Sequence, residues 1–196
     1  MMTATLAASS NPSRLSRQKS VLRKRILATR HKMGTPLREK ASRRICSQIA
    51  ALPAFQQATV IAAFAPMEEE VNIWPLLTDC WKNNKQLFFP RVTGKRQLQF
   101  HQVLARHELQ IGFKGIAEPY PHSVVIQKSQ LFDFAIIPAV AVDAAHYRLG
   151  YGGGFYDTFM FGLSSTFSCA PVFSCQKVSC VPAESHDRPV FFVFSE

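Results

Sequence analysis

Between Arg14 and Leu52 apolar side chains return every three or four positions: Leu15, Val21, Leu22, Ile26 and Leu27, then Leu37, Ala41, Ile45 and Ile49. That period predicts helix. The break at Gly34-Thr35-Pro36 divides it into two N-terminal helices, with Thr35 expected as N-cap of the second and Pro36 as its first helical residue. From residue 59 the pattern changes to a short, β-branched apolar run ended by Pro66, as expected of a buried strand. Residues 74–83 read as helix and residues 86–90 as the next strand, and strand, helix, strand in succession predicts a parallel sheet. Residues 97–104 alternate polar and apolar, which predicts a half-exposed edge strand; residues 112–121 read as loop. Residues 132–142 predict one long buried strand, because residues 134–142 leave no polar face. A glycine turn, a helix over residues 155–163 and two strand-like runs at 171–174 and 190–194 complete the order.

The expected fold is therefore α/β: a single domain over residues 13–196 whose mostly parallel open sheet carries helices on both faces, preceded by a disordered segment, residues 1–12. A length of 196 residues with 47% hydrophobic and 18% charged side chains supports one sizeable core and leaves little room for a second. No run approaches the roughly 18 apolar residues of a membrane-spanning helix, so no membrane partner is expected. The five cysteines are odd in number and lack a Cys-x-x-Cys pair, which argues against a disulfide framework or zinc ribbon and for a reducing, cytoplasmic setting. At the start, small apolar residues precede the basic stretch, the wrong order for a secretory signal; an acid-poor transit peptide is the alternative.

The net charge of +10 is unevenly spread. Residues 1–44 hold twelve Lys or Arg and one acid, whereas residues 45–196 hold eleven bases and twelve acids. A basic helical segment is more often a solvated face or an anion site than a reader of nucleic acid, so a nucleic-acid partner is not expected.

Chemistry concentrates in Arg148-Leu149-Gly150-Tyr151-Gly152-Gly153-Gly154-Phe155-Tyr156-Asp157. Glycines between a buried strand and a helix let the backbone turn sharply and bring N–H groups close to an anion. Arg148 can fork onto phosphate oxygens, and Phe155 and Tyr156 can wall a flat ring. Neither the Walker nor the dinucleotide-binding spacing fits. By spacing alone a tight structural turn is the alternative.

This run, with Ile137-Pro138-Ala139-Val140-Ala141-Val142-Asp143 before it, resembles the signature of the 5-formyltetrahydrofolate cyclo-ligases, also called 5,10-methenyltetrahydrofolate synthetases. Lys19-x-x-Leu22-Arg23, Glu70-Val71, Glu118-Pro119, Gln176-x-Val178 and Pro182-x-Glu184-x-His186-Asp187 match in the same order. The resemblance spans about residues 17–196. It implies a mostly parallel α/β domain that cyclises 5-formyltetrahydrofolate to 5,10-methenyltetrahydrofolate with ATP as co-substrate and Mg2+, releasing ADP and phosphate. A monomer is the default. The alternative is an inactive relative that binds nucleic acid through its basic helices.

Carried over residue by residue, the resemblance implies ATP contacts at Lys19, Arg23 and residues 148–156: Arg148, Leu149, Gly150, Tyr151, Gly152, Gly153, Gly154, Phe155 and Tyr156. Arg148 and Tyr156 take the catalytic roles. Ala65 and Glu70, with Tyr151, Gly152, Gly153, Gly154 and Phe155, line the folate. Asp157 and Asp187 are the magnesium ligands, with an N-cap role as the rival for Asp157. Lys19 and Arg23, four apart on a helix, share a face. Glu70, past the end of a parallel strand, stands where open α/β sheets place ligands and can accept from pterin N–H groups. At Asn72-Ile73 the chain departs from the Asp-Thr usual in relatives, and at Ala65 from a bulkier residue. Asp143 is a candidate to orient Arg148 or a metal-bound water, His186 a turn hydrogen bond near the metal, and Arg91 the folate's glutamate tail, a surface role being its alternative. Met67 and Trp74 read as packing residues.

Overall fold

The computed structural model describes residues 13–126, 132–163, 166–184 and 187–196; the expectations for residues 1–12 and for His186 lie outside them. Its helices are α1 (Arg14–His31), α2 (Thr35–Ala50), α3 (Pro53–Gln57), α4 (Trp74–Lys82) and α5 (Phe155–Phe161). Its strands are β1 (Val60–Ala62), β2 (Gln86–Gly94), β3 (Gln97–Gln102), β4 (Leu109–Ile111), β5 (Ala117–Pro119), β6 (Val125–Ile126), β7 (Phe134–Ile136), β8 (Ala141–Val142), β9 (Arg148–Leu149), β10 (Phe167–Pro171) and β11 (Phe192–Phe194). Seven strands form the main sheet in the order β11-β10-β7-β1-β2-β3-β6. The pairings from β11 to β2 are parallel and the last two antiparallel.

Alternation along the central strands builds two cores. Ile61, Leu87, Phe89, Phe134, Ile136 and Cys169 face α2, α3 and α4. Their neighbours Ala62, Phe88, Ala135 and Ala170 face α5 through Met160. Both faces are covered, so the strands read as unbroken apolar runs rather than alternating ones. Phe89 and Phe134 are fully buried, and truncating either to alanine is expected to cost about 3–5 kcal/mol. Helix α1 packs elsewhere: Ile26, Leu22 and Leu27 lie against Val140, Ala141 and Leu149, so its basic face starts from the glycine-turn end of the molecule. Among the described residues no helix is long and apolar enough to cross a membrane.

Several sequence expectations shift. Gly34, not Thr35, is the N-cap of α2 and no side chain caps it; the Thr35 hydroxyl instead accepts from Arg38. The run at 132–142 is two strands. Pro138 has no N–H to donate, the main-sheet strand stops at Ile136, and β8 leaves to pair with β9. Complete burial on both sides of the break hid it from the pattern. Strand β3 is not an edge, because β6 pairs with it. The 112–121 segment contains β5, paired with β4. The strand expected at 171–174 lies at Phe167–Pro171, followed by a 3-10 turn at Ser174–Gln176.

Candidate active site around the glycine turn

The β8–β9 hairpin delivers the glycine turn to the end of the sheet, between α1 and α5. Gly152 has φ +95°, and a Cβ there would stand 3.2 Å from the guanidinium carbon of Arg23. Gly154, the N-cap of α5, has φ +70°, and its Cβ would meet Arg96 Nε at 2.9 Å. Only glycine satisfies both the left-handed backbone and the close approach of an arginine. Arg23 Nε donates to the Gly150 carbonyl at 2.8 Å, tying α1 to the turn. Lys19, one helical turn earlier, places its ammonium between Glu184 (2.8 Å) and Asp187 (2.7 Å). Burial works against the Lys19 charge, and the hydrogen bonds and charges of Asp187 and Glu184 outweigh it, leaving its pKa above the ordinary lysine value.

Arg148 is buried, with Nη2 2.6 Å from Asp157 Oδ1 and Nε 3.1 Å from the Met160 sulfur. Its guanidinium stands 5.9 Å from the centre of the Tyr156 ring. Burial lowers the Arg148 pKa, opposed chiefly by Asp157 and also by Asp187. Both predicted metal ligands thus act on one guanidinium. Among the described residues no three His, Cys, Asp or Glu side chains converge as a metal cage. A cation here would take one or two carboxylates and complete its shell with phosphate oxygens and water, the coordination magnesium favours. The two hard carboxylates fit that role in kind.

Across the turn lies a second, drier cluster. Glu70 is 7% exposed; its Oε2 accepts from Met67 N at 2.9 Å and its Oε1 from the Tyr151 hydroxyl at 2.7 Å. The Tyr151 oxygen in turn accepts from Arg30 Nη1 at 3.0 Å. Burial raises the Glu70 pKa, partly offset by Met67 N–H, Tyr151 and the Arg30 charge. Of the three consecutive glutamates only Glu70 turns inward: Glu68 is exposed, and Glu69 pairs with His31 and lies 4.0 Å from Arg30. Arg30 is 3% exposed, and among the described residues its Nε–H has no hydrogen-bond partner. It was missed in the sequence because nothing distinguishes it there from its basic neighbours.

Other predicted residues occupy plainer positions. Asp143 accepts from the backbone N–H groups of Ala145, Tyr147 and Val181, so its carboxylate shapes the hairpin and holds the tail instead of orienting Arg148. Arg91 donates to the Pro119 carbonyl and stands 3.6 Å from Glu118, which commits it to the β2–β5 junction. Leu149 and Ala65 are buried in core clusters. Trp74 stacks on Phe89, a packing role, while Met67 brings its backbone N–H to Glu70.

A model of the 5-formyltetrahydrofolate cyclo-ligase family matches residues 15–196. The chain belongs to this family. The probable 5-formyltetrahydrofolate cyclo-ligase of Schizosaccharomyces pombe is 30% identical over 149 residues, 74% of this chain and 73% of that one. The Escherichia coli K12 5-formyltetrahydrofolate cyclo-ligase is 29% identical over 143 residues, 70% of this chain and 78% of its own length. The solved 5,10-methenyltetrahydrofolate synthetase of Aquifex aeolicus superposes with a TM-score of 0.79 at 30% identity, covering 90% of this chain and 88% of that one. The Mycoplasma pneumoniae synthetase, at 22% identity and a TM-score of 0.74, supports the fold alone. In this cyclo-ligase family member Arg23 contacts the glycine turn directly, Glu70 through Tyr151, and Lys19, Arg148, Asp157 and Asp187 form ion pairs beside it.

Proposed function

We propose that this chain uses ATP to cyclise 5-formyltetrahydrofolate to 5,10-methenyltetrahydrofolate, releasing ADP and phosphate. One observation carries the reading: in a single short turn the Gly150 carbonyl is held by Arg23, beside the Arg148–Asp157 pair, and the side chain of the next residue, Tyr151, joins the buried Glu70–Arg30 cluster. A phosphate site and a site for a hydrogen-bonding heterocycle therefore share the backbone of residues 150–154.

In this reaction the γ-phosphoryl group passes to the formyl oxygen and ADP leaves. N10 then attacks the activated carbon and loses its proton, and phosphate departs with the formyl oxygen. Phosphoryl transfer of this kind depends on positioning and charge neutralisation more than on covalent help. Lys19, Arg23 and the turn's backbone bind the phosphates, and Arg148 is the fixed cation beside the transferred group. Tyr156 walls the site beneath Arg148, while Phe155 lines the folate. Glu70 accepts from the pterin amino and ring N–H groups, with Tyr151 and Arg30 holding it in place. Asp157 and Asp187 would hold magnesium, which when bound neutralises phosphate oxygens. On this reading the enzyme works as a monomer in the cytoplasm.

The test mixes protein, 5-formyltetrahydrofolate, ATP and magnesium and follows the absorbance of the methenyl product. A rise that requires all three additions is expected. No rise from protein that still binds nucleotide would overturn the proposal.

A further inference from the structure

Gln176 lies in the stretch Gln176-x-Val178, and no step of the reaction uses it. It is 2% exposed, and all its side-chain hydrogen bonds go to main chain. Nε2 donates to the carbonyls of Ala139 at 2.9 Å and Val140 at 3.0 Å, and Oε1 accepts from Phe173 N at 2.9 Å. Those two carbonyls stand where the chain leaves the main sheet. Ile137 N–H still bonds the Cys169 carbonyl of β10 at 2.8 Å, and Pro138 has no N–H to continue the ladder. Ala139 and Val140 are buried, so their carbonyls need a partner from the protein itself. Consecutive carbonyls of a regular strand point to opposite sides. One amide can bond both only where the backbone bends, and Gln176 holds that bend.

From the bend a short path leads to the reacting end. Val140 N–H donates to the Leu149 carbonyl at 2.7 Å, and Leu149 adjoins Arg148, which pairs with Val142 across the hairpin. The tail that carries Gln176 goes on bracing the same hairpin: Val178 N–H donates to the Val142 carbonyl and Val181 N–H to Asp143 Oδ2, both at 2.9 Å. Further along, Glu184 and Asp187 hold Lys19. The β8–β9 hairpin has left the main sheet, and residues 173–181 replace the sheet as its support, with Gln176 at the root and Asp143 nearer the turn.

We propose that Gln176 is a positioning residue of the cyclisation: by fixing the bend at Ala139 and Val140 it aims the hairpin, and so sets where Arg148 and the glycine turn stand against the substrates. Both N–H protons of its amide are committed to the main chain, so it acts through the hairpin and not on a ligand. The proposal rests on the cyclo-ligase reading for the reaction it serves. Misplacing a reacting group by about 1 Å costs on the order of 100-fold in rate. A brace of this kind therefore acts on kcat more than on the affinity for either substrate.

The experiment uses the full chain as wild type, Gln176→Met and Gln176→Glu. Thr166→Val is the control, since it removes another buried side-chain bond to a carbonyl, that of Phe132, ahead of β10. Each is assayed well below its melting temperature. Gln176→Met is expected to lower kcat about 10- to 100-fold while KM for ATP and for 5-formyltetrahydrofolate each stay within about threefold. Thr166→Val should lower the melting temperature and leave kcat within about twofold. Gln176→Glu should regain kcat, relative to wild type, as pH falls, because only the protonated carboxyl can donate to a carbonyl; Gln176→Met should show no such limb. Without substrates, Gln176→Met should shift the amide signals of residues 150–154 in proton–nitrogen correlation spectra, and Thr166→Val should not. An unchanged kcat in folded Gln176→Met, or turn signals that stay in place, would overturn the proposal. Should that variant fail to fold, Gln176→Glu decides: a pH-independent ratio to wild type sinks the idea. A wild type that does not cyclise strikes the cyclo-ligase reading instead, and the amide signals still decide whether Gln176 aims the turn.

Discussion

Glu70 and Asp187 are both carboxylates at one glycine turn, and their surroundings differ in kind. Glu70 is buried, accepts from Met67 N–H and Tyr151, and sits near one buried arginine. Its site is complete before any ligand arrives. Asp187 shares a half-buried ammonium with Glu184, while Asp157 caps Arg148 from a position one third exposed. At that end the protein's own ions neutralise one another, and on the proposed reading phosphates with their cation would exchange partners with them. The dry end suits recognition of a neutral, hydrogen-bonding heterocycle; the wet end suits a polyanion that brings its own counterion. The two ends should therefore fail in different kinetic parameters.

The largest effect is expected at the cation beside the transferred group. Arg148→Met should lower kcat by about 10²–10³, measured with both substrates saturating; a change confined to either KM would remove Arg148 from the reaction centre. Glu70→Gln should lower kcat/KM for 5-formyltetrahydrofolate about 10- to 100-fold through the loss of a charged acceptor, leaving ATP affinity unchanged. If ATP affinity fell equally, the ends would not be separate.

Arg30→Met sharpens the comparison through pH. Burial raises the Glu70 pKa above its ordinary 4.5, and the Arg30 charge is among the groups that lower it. The ionised carboxylate is lost as pH falls through that raised value, so the acid limb of kcat/KM for folate lies above 4.5, and Arg30→Met moves it further up. A stability loss with no movement of the limb would leave Arg30 a packing residue only. Lys19→Ala should raise KM for ATP about tenfold or less and change stability by under about 1 kcal/mol, because its partners are partly exposed. The smallest effect is that of salt. Raising ionic strength should weaken ATP binding, which screened and partly exposed charges govern, more than it weakens the pterin contacts of the buried end; equal sensitivity would contradict the division.

Helix periods placed α1, α2 and α4 within a residue or two, since one face of each meets a core and the period records that face. The strands were harder where burial was complete. Residues 132–142 carried no polar position to mark the point at which β7 leaves the main sheet for the β8–β9 hairpin, and Pro138 was the one sign of it. The candidate site was legible at its glycines and at Lys19, Arg23, Glu70, Arg148, Asp157 and Asp187, which form local motifs in an order that a family resemblance can register. Arg30 and Arg96 were not, because each belongs to no motif and gains its meaning from a residue far along the chain.

The sequence by itself determined that this chain would form an α/β sheet with both faces covered and that its backbone would turn sharply at the run of glycines beside Arg148. Hydrophobic period and backbone permissiveness are local properties, and local patterns report them. Only the tertiary structure decided how the charges are shared: Arg91 and Asp143 drawn into backbone hydrogen bonds, Lys19 between two acids, Arg30 buried behind Tyr151, and Arg96 left, among the described residues, without an acid beside an aromatic cleft. Ion pairing depends on distance in space, and the groups in question lie up to 168 positions apart.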